Sequence, residues 1–331
     1  MIRYVIKRIL WIIPTVLGVI LLLSAINYIS PGSPAESMLG SQATPEAVAE
    51  LEKEMGLDRP FFVQYADYVW TLITTGSLGN SYVYKMPVWK MILPRIWPTA
   101  VITLCSAFLS TVIAIPLGIL SATRHRTIFD YSGTLFCIIF KSIPNFWLAL
   151  LLLSLFAVKL RWVPASGYST PAHFILPIFS TTMASLAGTM RMTRSSMLEV
   201  VRQDYIRTAK SKGLSPRDVT YRHALKNALI PVVTMIGIYV GMSLAGSVIV
   251  ETIFAIPGLG TTMVKAINQN DYIVTQGIVT VCGTFLTIVT LITDLVYAFL
   301  DPRIMAQYKG SSKARPKKQR AAGKLAGAGT T

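Results

Sequence analysis

Residues 204–219 read DYIRTAKSKGLSPRDV, and residues 221–231 read YRHALKNALIP. The pattern predicts a helix over residues 195–212 that ends at Gly213. Glycine adopts the left-handed backbone conformation with which many helices terminate, because it has no Cβ to clash with the following carbonyl group.

A second helix is indicated directly after this turn. Ser215 supplies an N-terminal cap, Pro216 a first helical residue and Asp218 an acid in the first turn. We call the whole segment of residues 195–227 the bracket, because it reads as helix, sharp turn, helix. A merely solvated basic loop would explain the positive charge of the bracket but not its ordered series of helix-ending and helix-capping residues. We therefore interpret the bracket as a surface that binds another protein.

Long apolar stretches lie on both sides of the bracket. Of the 331 residues, 53% are hydrophobic and 14% are charged, against roughly 25% charged in ordinary globular domains. Most of the chain therefore cannot face water, and a soluble enzyme is excluded. A bilayer core about 30 Å thick needs about 20 apolar residues of helix. About six windows qualify, at roughly 9–29, 98–120, 132–158, 173–190, 229–250 and 273–299.

These windows predict an all-α integral membrane protein of about six spans. The fourth is the weakest, being short and rich in Ser and Thr with Pro177 near its start. The first is read as a retained anchor, because about 21 apolar residues exceed the 7–15 of a signal peptide. The alternative, a cleaved leader, has only the loose cleavage pattern Ser33-Pro34-Ala35 in its favour.

Charge sets the predicted orientation. Of the 31 Lys and Arg residues, 22 fall on the side of the N-terminus and 8 on the other, while Lys141 lies within a span. Positive charge concentrates on the cytoplasmic side of membrane proteins. Both termini and the bracket are therefore predicted to be cytoplasmic. The same distribution explains the net charge of +16 without nucleic acid as a partner, and it favours contact with anionic lipid.

Four regions follow from this topology. Residues 1–29 form the N-terminal cytoplasmic end and the first span, and residues 30–97 form an extracytoplasmic subdomain, in which Thr44 and Pro45 signal a helix start. Residues 98–308 form a five-helix core that carries the bracket. Residues 309–331 read as a disordered basic tail.

The sequence offers no catalytic or metal-binding constellation. The histidines at 125, 173 and 223 are far apart, and the cysteines at 105, 137 and 282 lie in apolar stretches, as buried hydrophobes do. The stretch from Gly241 to Val248 has the glycine spacing of a nucleotide loop without its Lys and Ser/Thr, and it lacks the second glycine of a hydrolase elbow. We expect no catalytic residue, no metal and no cofactor bound by this chain.

Taken in order, the motifs resemble those of ABC-importer membrane subunits, specifically the dipeptide, oligopeptide and nickel permease family. The bracket carries that family's R-T-A-x-x-K-G-L and R-H-A-L-x-N-A-L-x-P patterns, and the resemblance runs almost end to end. The generic Glu-Ala-Ala of such loops is Arg207-Thr208-Ala209 here, and Lys226 replaces a generic Pro, as is usual in the peptide and nickel branch. The remaining matches are Arg3-Tyr4 through Pro14, Pro31–Pro34, Gly56–Pro60 with Gln64-Tyr65, Gly76–Ser81, Ile143–Trp147, Val250–Gly260 and Asp301–Arg303.

This resemblance implies a type I importer permease with a MetI-like fold in a bacterial or archaeal cytoplasmic membrane. Its implied partners are a homologous second permease, two ATPases that hold ATP and Mg, and an extracytoplasmic solute-binding protein. A peptide substrate is favoured, with a nickel chelate or another small solute left open. The residues implied in coupling to the ATPases are Asp204, Arg207, Thr208, Ala209, Lys210, Lys212, Gly213, Leu214, Ser215 and Pro216.

Some residues within spans have alternative roles. Lys141 and Asp294 are candidates for the translocation path, yet each also fits a structural role as an ion pair or an interfacial anchor. The small-residue series Gly237, Gly241 and Ala245 permits close helix packing, either between subunits or within the bundle. A stand-alone secondary transporter and a membrane-embedded enzyme are the rival functions. For the first, the sequence offers only Asp294 as an intramembrane acid and no internal repeat, and for the second it offers no catalytic constellation.

Overall fold

The computed structural model of the chain describes residues 2–30 and 32–300, and this part is mainly helical. Its β-type pairing is an isolated bridge between Asn80 and Pro87. The helices are α1 (Ile2–Ile29), α2 (Pro34–Leu39), α3 (Pro45–Met55), α4 (Phe61–Thr75), α5 (Val88–Thr123), α6 (Ile128–Ser142), α7 (Asn145–Leu152), α8 (Ala172–Val201), α9 (Asp204–Ser211), α10 (Pro216–Asp218), α11 (Leu225–Ile253), α12 (Leu259–Asn268) and α13 (Tyr272–Leu300). Wide π-helical turns extend α7 through Lys159 and join α10 to α11.

Within the described residues, four segments are long and apolar enough to cross a bilayer: Ile9–Ile29, Val88–Thr123, Pro216–Ser243 and Tyr272–Tyr297. The pair α6 and α7 also qualifies if the two helices count as one broken span. The predicted all-α membrane fold is confirmed, with four or five apolar spans. A sixth crossing, by α8, stays a prediction.

The third predicted span, residues 132–158, is wrong as a single helix. The chain bends by 94° between α6 and α7. Proline lacks a backbone N–H and disfavours helical geometry in the residue before it. Ile143, which precedes Pro144, is accordingly extended, with φ −79° and ψ 121°. The break therefore has a local cause.

Helix α8 lies at the centre of the bundle, against α5, α6, α7 and α11. Most of its hydroxyl side chains are buried, and several bond their own helix: Thr182 donates to the carbonyl of Ile178, and Thr193 donates to that of Thr189. Gly118 of α5 sits so close to Thr193 that a Cβ there would collide. The Ser and Thr that make this segment less apolar are thus satisfied inside a tightly packed core.

Helices α2 to α4 lie near the end of the bundle where α1 ends and α13 begins, and their forming an extracytoplasmic subdomain stays a prediction. As predicted, Thr44 caps α3, accepting a hydrogen bond from the Ala47 amide at 3.3 Å. The buried Asp271 carboxylate holds the loop before α5, accepting from the Ser81 hydroxyl and, at 3.2 Å, from the Tyr82 amide. Burial, with Asp271 as a second cause, raises the pKa of Tyr82 to about 12.

A second buried carboxylate fixes the turn before α12. Glu251 is fully buried and accepts from the Thr261 amide at 2.9 Å and from the Thr99 hydroxyl of α5. Gly258 passes so close to this carboxylate that a Cβ would overlap it. The turn at Pro257–Gly260 is therefore held by a buried acid. The predicted tail, residues 309–331, and the Asp301–Arg303 motif lie outside the described residues.

Candidate functional site

Within the bracket, the predicted single helix over residues 195–212 is instead the end of α8 followed by the short helix α9. Helix α8 continues to Val201, and Gln203 is extended, with φ −70° and ψ 148°. Helix α9 then begins at Asp204, an acid in the first turn. The prediction was wrong here because the break lets Ile206 and Ala209 turn into the core, which the local pattern does not reveal.

The turn after α9 has the predicted conformation. Gly213 is left-handed, with φ +76°, and its amide donates to the Lys210 carbonyl at 3.0 Å. A Cβ at Gly213 would meet no atom within 4 Å, so the glycine is required by its backbone angle and not by crowding within this chain. Ser215 caps α10 as predicted, accepting from the Asp218 amide at 3.1 Å.

One side of the bracket is fastened to the long helices. Ile206 and Ala209 of α9 are buried in an apolar cluster, which we call the anchor cluster. Its other members come from the ends of α5 and α8 and from the segment that leads into α11. They are Ile119, Ala122, Met197, Val219, Ala224 and Ala228. Burial of this surface ties the bracket to three long helices at once.

The other side of the bracket is open and charged. The side chains of Asp204 and Arg207 are 99% and 79% exposed and lie 3.9 Å apart, as a weak surface pair. Most of the residues predicted for coupling share this exposed side, but Ala209 faces the chain's own core. The exposed members are Asp204, Arg207, Thr208, Lys210, Lys212, Gly213, Leu214, Ser215 and Pro216.

Two contacts near the bracket escaped the sequence analysis. The Asn227 amide donates to the Tyr205 hydroxyl at 2.7 Å, which links α9 to the start of α11. The buried Asp130 carboxylate of α6 accepts from Arg194 of α8, at 2.9 Å for Nη2, and from the Ser121 hydroxyl of α5 at 2.7 Å. Arg194 and Asp130 are 64 residues apart, so no local spacing signals this pair.

The two intramembrane candidates do not meet. Lys141 is exposed near the end of α6, two residues before the Ile143–Pro144 break, whereas Asp294 is buried in α13. Among the described residues no ion pair joins Lys141 to Asp294, so any ion-pair role of either residue does not involve the other. A path role for either residue stays a prediction.

The small-residue series packs within the chain. A Cβ on Gly237 would lie 2.5 Å from the Thr293 hydroxyl, and one on Gly241 would lie 2.3 Å from Leu286. Both neighbours belong to α13, so this face serves the bundle rather than requiring a second subunit. The side chain of Ala245 lies outside those described. In residues 2–30 and 32–300, no group of three His, Cys, Asp or Glu is arranged to hold a metal ion.

Two family models match the chain. "Binding-prot-dependent transport system membrane comp, N-term" matches residues 1–103, and "Binding-protein-dependent transport system inner membrane component" matches residues 114–306. The second match contains the whole bracket. Together the two models extend over most of the chain.

Two relatives and one solved structure agree with these matches. The dipeptide transport system permease protein DppB of Alkalihalophilus pseudofirmus is 38% identical over 92% of this chain and 99% of that protein. The oligopeptide transport system permease protein AppB of Bacillus subtilis is 38% identical, with the same coverage. A solved structure of the MetNI methionine ABC transporter has a TM-score of 0.51 at 18% identity, covers 64% of this chain and 96% of that one, and shows the fold alone.

One assignment follows from the bracket at one end of the helical bundle, the family matches and the relatives. The chain belongs to the family of inner membrane components of binding-protein-dependent transport systems and is a multi-pass ABC-importer permease of the bacterial cytoplasmic membrane.

Proposed function

We propose that this chain carries di- and oligopeptides across the cytoplasmic membrane and is driven by ATPases that grip its bracket. The observation that carries this proposal is the two-sided construction of the bracket. Its exposed side presents charges and a left-handed glycine, while its buried side is packed onto the ends of α5, α8 and α11. A force on such a segment is transmitted to the bundle.

The substrate class is supported by the relatives. Proteins 38% identical over nearly their full length are named dipeptide and oligopeptide permeases. The chain offers no cluster of metal-ligating side chains within its described part, which fits a peptide better than a bare metal ion. We assign a peptide substrate on these grounds.

The partners follow from the importer class. We propose a second, homologous permease subunit, two ATPases that bind ATP and Mg, and an extracytoplasmic binding protein that delivers peptide. The chain itself catalyses no reaction, binds no cofactor and acts as the moving part. ATPase closure pushes the bracket, and the attached helices rotate as a rigid body between two states.

The direct test is peptide uptake into proteoliposomes. The complete importer should import a labelled dipeptide when ATP and the binding protein are both present, and omission of either should abolish uptake. Nickel chelate offered under the same conditions should not be imported. Uptake by this chain alone, without ATPases, would contradict the proposal.

The coupling role is tested at Gly213. Gly213→Val places a β-branched side chain at φ +76°, where L-residues pay roughly 1–2 kcal/mol, and it adds bulk to the docking side. We expect membrane insertion at the wild-type level, with ATP hydrolysis continuing while peptide uptake falls at least tenfold.

Gly76→Val is the matched control. Gly76 is also left-handed, with φ +64° and no atom within 4 Å of an added Cβ, but it lies at the end of α4, far along the chain from the bracket. The Gly76→Val variant should have the same local backbone strain as Gly213→Val. Its ratio of ATP hydrolysed to peptide imported should nevertheless stay at the wild-type value. Equal effects of both variants on that ratio would refute docking at Gly213.

A further inference from the structure

Helix α4 turns its polar side inward. The side of the helix that carries Gln64, Tyr68 and Thr71 lines a cavity of about 450 Å³. The opposite wall of the cavity includes Asn27 of α1 and Gln276 of α13. A helix on the surface of a soluble protein does the reverse, because it buries its apolar side and leaves its polar side in water.

The outward side of α4 is apolar. Phe62, Trp70 and Ile73 are 74%, 70% and 67% exposed, and Ala66 lies between them at helical spacing. These four residues, which we call the outer stripe, follow one another at intervals of four, four and three residues and so form one continuous face. Asp67, the acid of α4, lies off this stripe and pairs with Arg59 at 3.0 Å.

Helix α4 reaches well along the membrane-spanning helices. The Tyr65 hydroxyl donates to the Leu17 carbonyl at 3.3 Å. Leu17 precedes Ile29, the last residue of α1, by twelve residues, which corresponds to about 18 Å of helix. At the start of α4, the Phe61 ring contacts Tyr28 with 5.6 Å between the ring centroids. The helix thus lies beside the outer half of α1 rather than above it.

The outer stripe lies beside a second apolar surface that this chain leaves uncovered, that of α1. Only 6% of the α1 span is buried in this chain, and α1 exposes Leu22 and Ile26 at 67% and 62%. Helix α4 packs directly on α1. Trp70 has the amphipathic ring that is enriched where a membrane meets water.

From these contacts we infer that α4 is embedded in the outer leaflet, with the outer stripe against lipid acyl chains and its polar side walling a water-filled cavity. Residues 61–75 are then not part of a subdomain standing free in the extracytoplasmic space. The inference depends on the membrane location of the chain and not on the identity of its substrate.

Site-directed spin labelling tests the position of α4. In the transporter assembled with its partner subunits in lipid nanodiscs, Cys105, Cys137 and Cys282 are replaced by serine, and a single cysteine is introduced as Ala66→Cys or Trp70→Cys. The nitroxide is then exposed to oxygen, which concentrates in lipid, and to a nickel chelate, which stays in water. Leu22→Cys on α1 is the lipid control, and Glu50→Cys on exposed α3 is the water control.

Labels at 66 and 70 should show an oxygen-to-nickel collision ratio close to that at position 22 and several-fold above that at position 50. A ratio like that at position 50 would place the stripe in water and overturn the inference. Low collision rates with both reagents would show that a protein partner covers the stripe, which would also overturn it. Ala66→Cys is nearly isosteric, so its result stands even if Trp70→Cys fails to assemble.

Discussion

At the scale of single residues, buried carboxylates join helices that are distant in sequence. Asp130, Glu251 and Asp271 are all at most 2% exposed, and each accepts hydrogen bonds from a different element. Asp130 is the one paired with a cation, Arg194, whose side chain is 25% exposed. Removing one member of a buried pair leaves the other without its counter-charge, which is far more damaging than breaking a pair in water.

Asp130→Asn should therefore destabilise the protein. Loss of the charge that pairs with Arg194 should cost about 3 kcal/mol, the lower end of the range for buried pairs because Arg194 is partly solvated. Asp67→Asn is the control, since Asp67 contacts Arg59 at 3.0 Å in a pair that is more than half exposed, and it should cost less than about 1 kcal/mol. Thermal melting of the purified transporter measures both variants, and equal shifts in Tm would disprove the assigned role of Asp130.

At the scale of elements, the bracket works only if it is held rigidly. Helix α9 is eight residues long, too short to be stable alone in water. It keeps its shape because Ile206 is fully buried in the anchor cluster. The strength of coupling should therefore depend on this one apolar contact as much as on the exposed charges.

Ile206→Ala should loosen the bracket. Truncating the buried side chain should lower the free energy of unfolding by about 2–5 kcal/mol. We also expect more ATP to be hydrolysed per peptide imported. Ile102→Ala removes an equally buried isoleucine from a different cluster, at 1% exposure, and should lower stability without changing that ratio. An unchanged ratio in Ile206→Ala, measured in proteoliposomes, would show that the anchor cluster does not transmit force.

At the scale of the whole molecule, the distribution of charge predicts which end of the bundle faces the cytoplasm. The bracket and the acidic helix α3 belong to loops on opposite sides of the predicted topology. In the proposed mechanism the direction of transport depends on this orientation, because the proposed ATPases and binding protein act from opposite faces of the membrane.

A membrane-impermeant maleimide measures the orientation. With the three native cysteines replaced by serine, Lys210→Cys in the bracket should react in inside-out vesicles and not in intact cells. Glu50→Cys on α3 should show the reverse. Labelling of Lys210→Cys from the exterior would contradict the predicted topology and, with it, the coupling mechanism.

The amino-acid sequence was sufficient to predict four of the six spans as single helices, the left-handed turn at Gly213 and the caps at Ser215 and Thr44. These features depend on residues close together in the chain, whose backbone preferences act wherever the segment lies. Which of the residues predicted for coupling are exposed and which are buried depends on the fold. Ala209 resembles its neighbours in the pattern, yet it faces inward and meets α5 and α8.

The folded structure was needed to reveal the central place of α8, the Asp130–Arg194 pair and the inverted sides of α4. Each depends on partners remote in sequence, and local spacing carries no record of them. The bend at Pro144 has both a local and a tertiary side. Proline explains why the helix breaks there, whereas the bend angle of 94° is seen together with the packing of α6 and α7 against α8. The difference is larger in a membrane, because any apolar helix face is compatible with lipid. Which helices become neighbours is therefore determined by close packing between them.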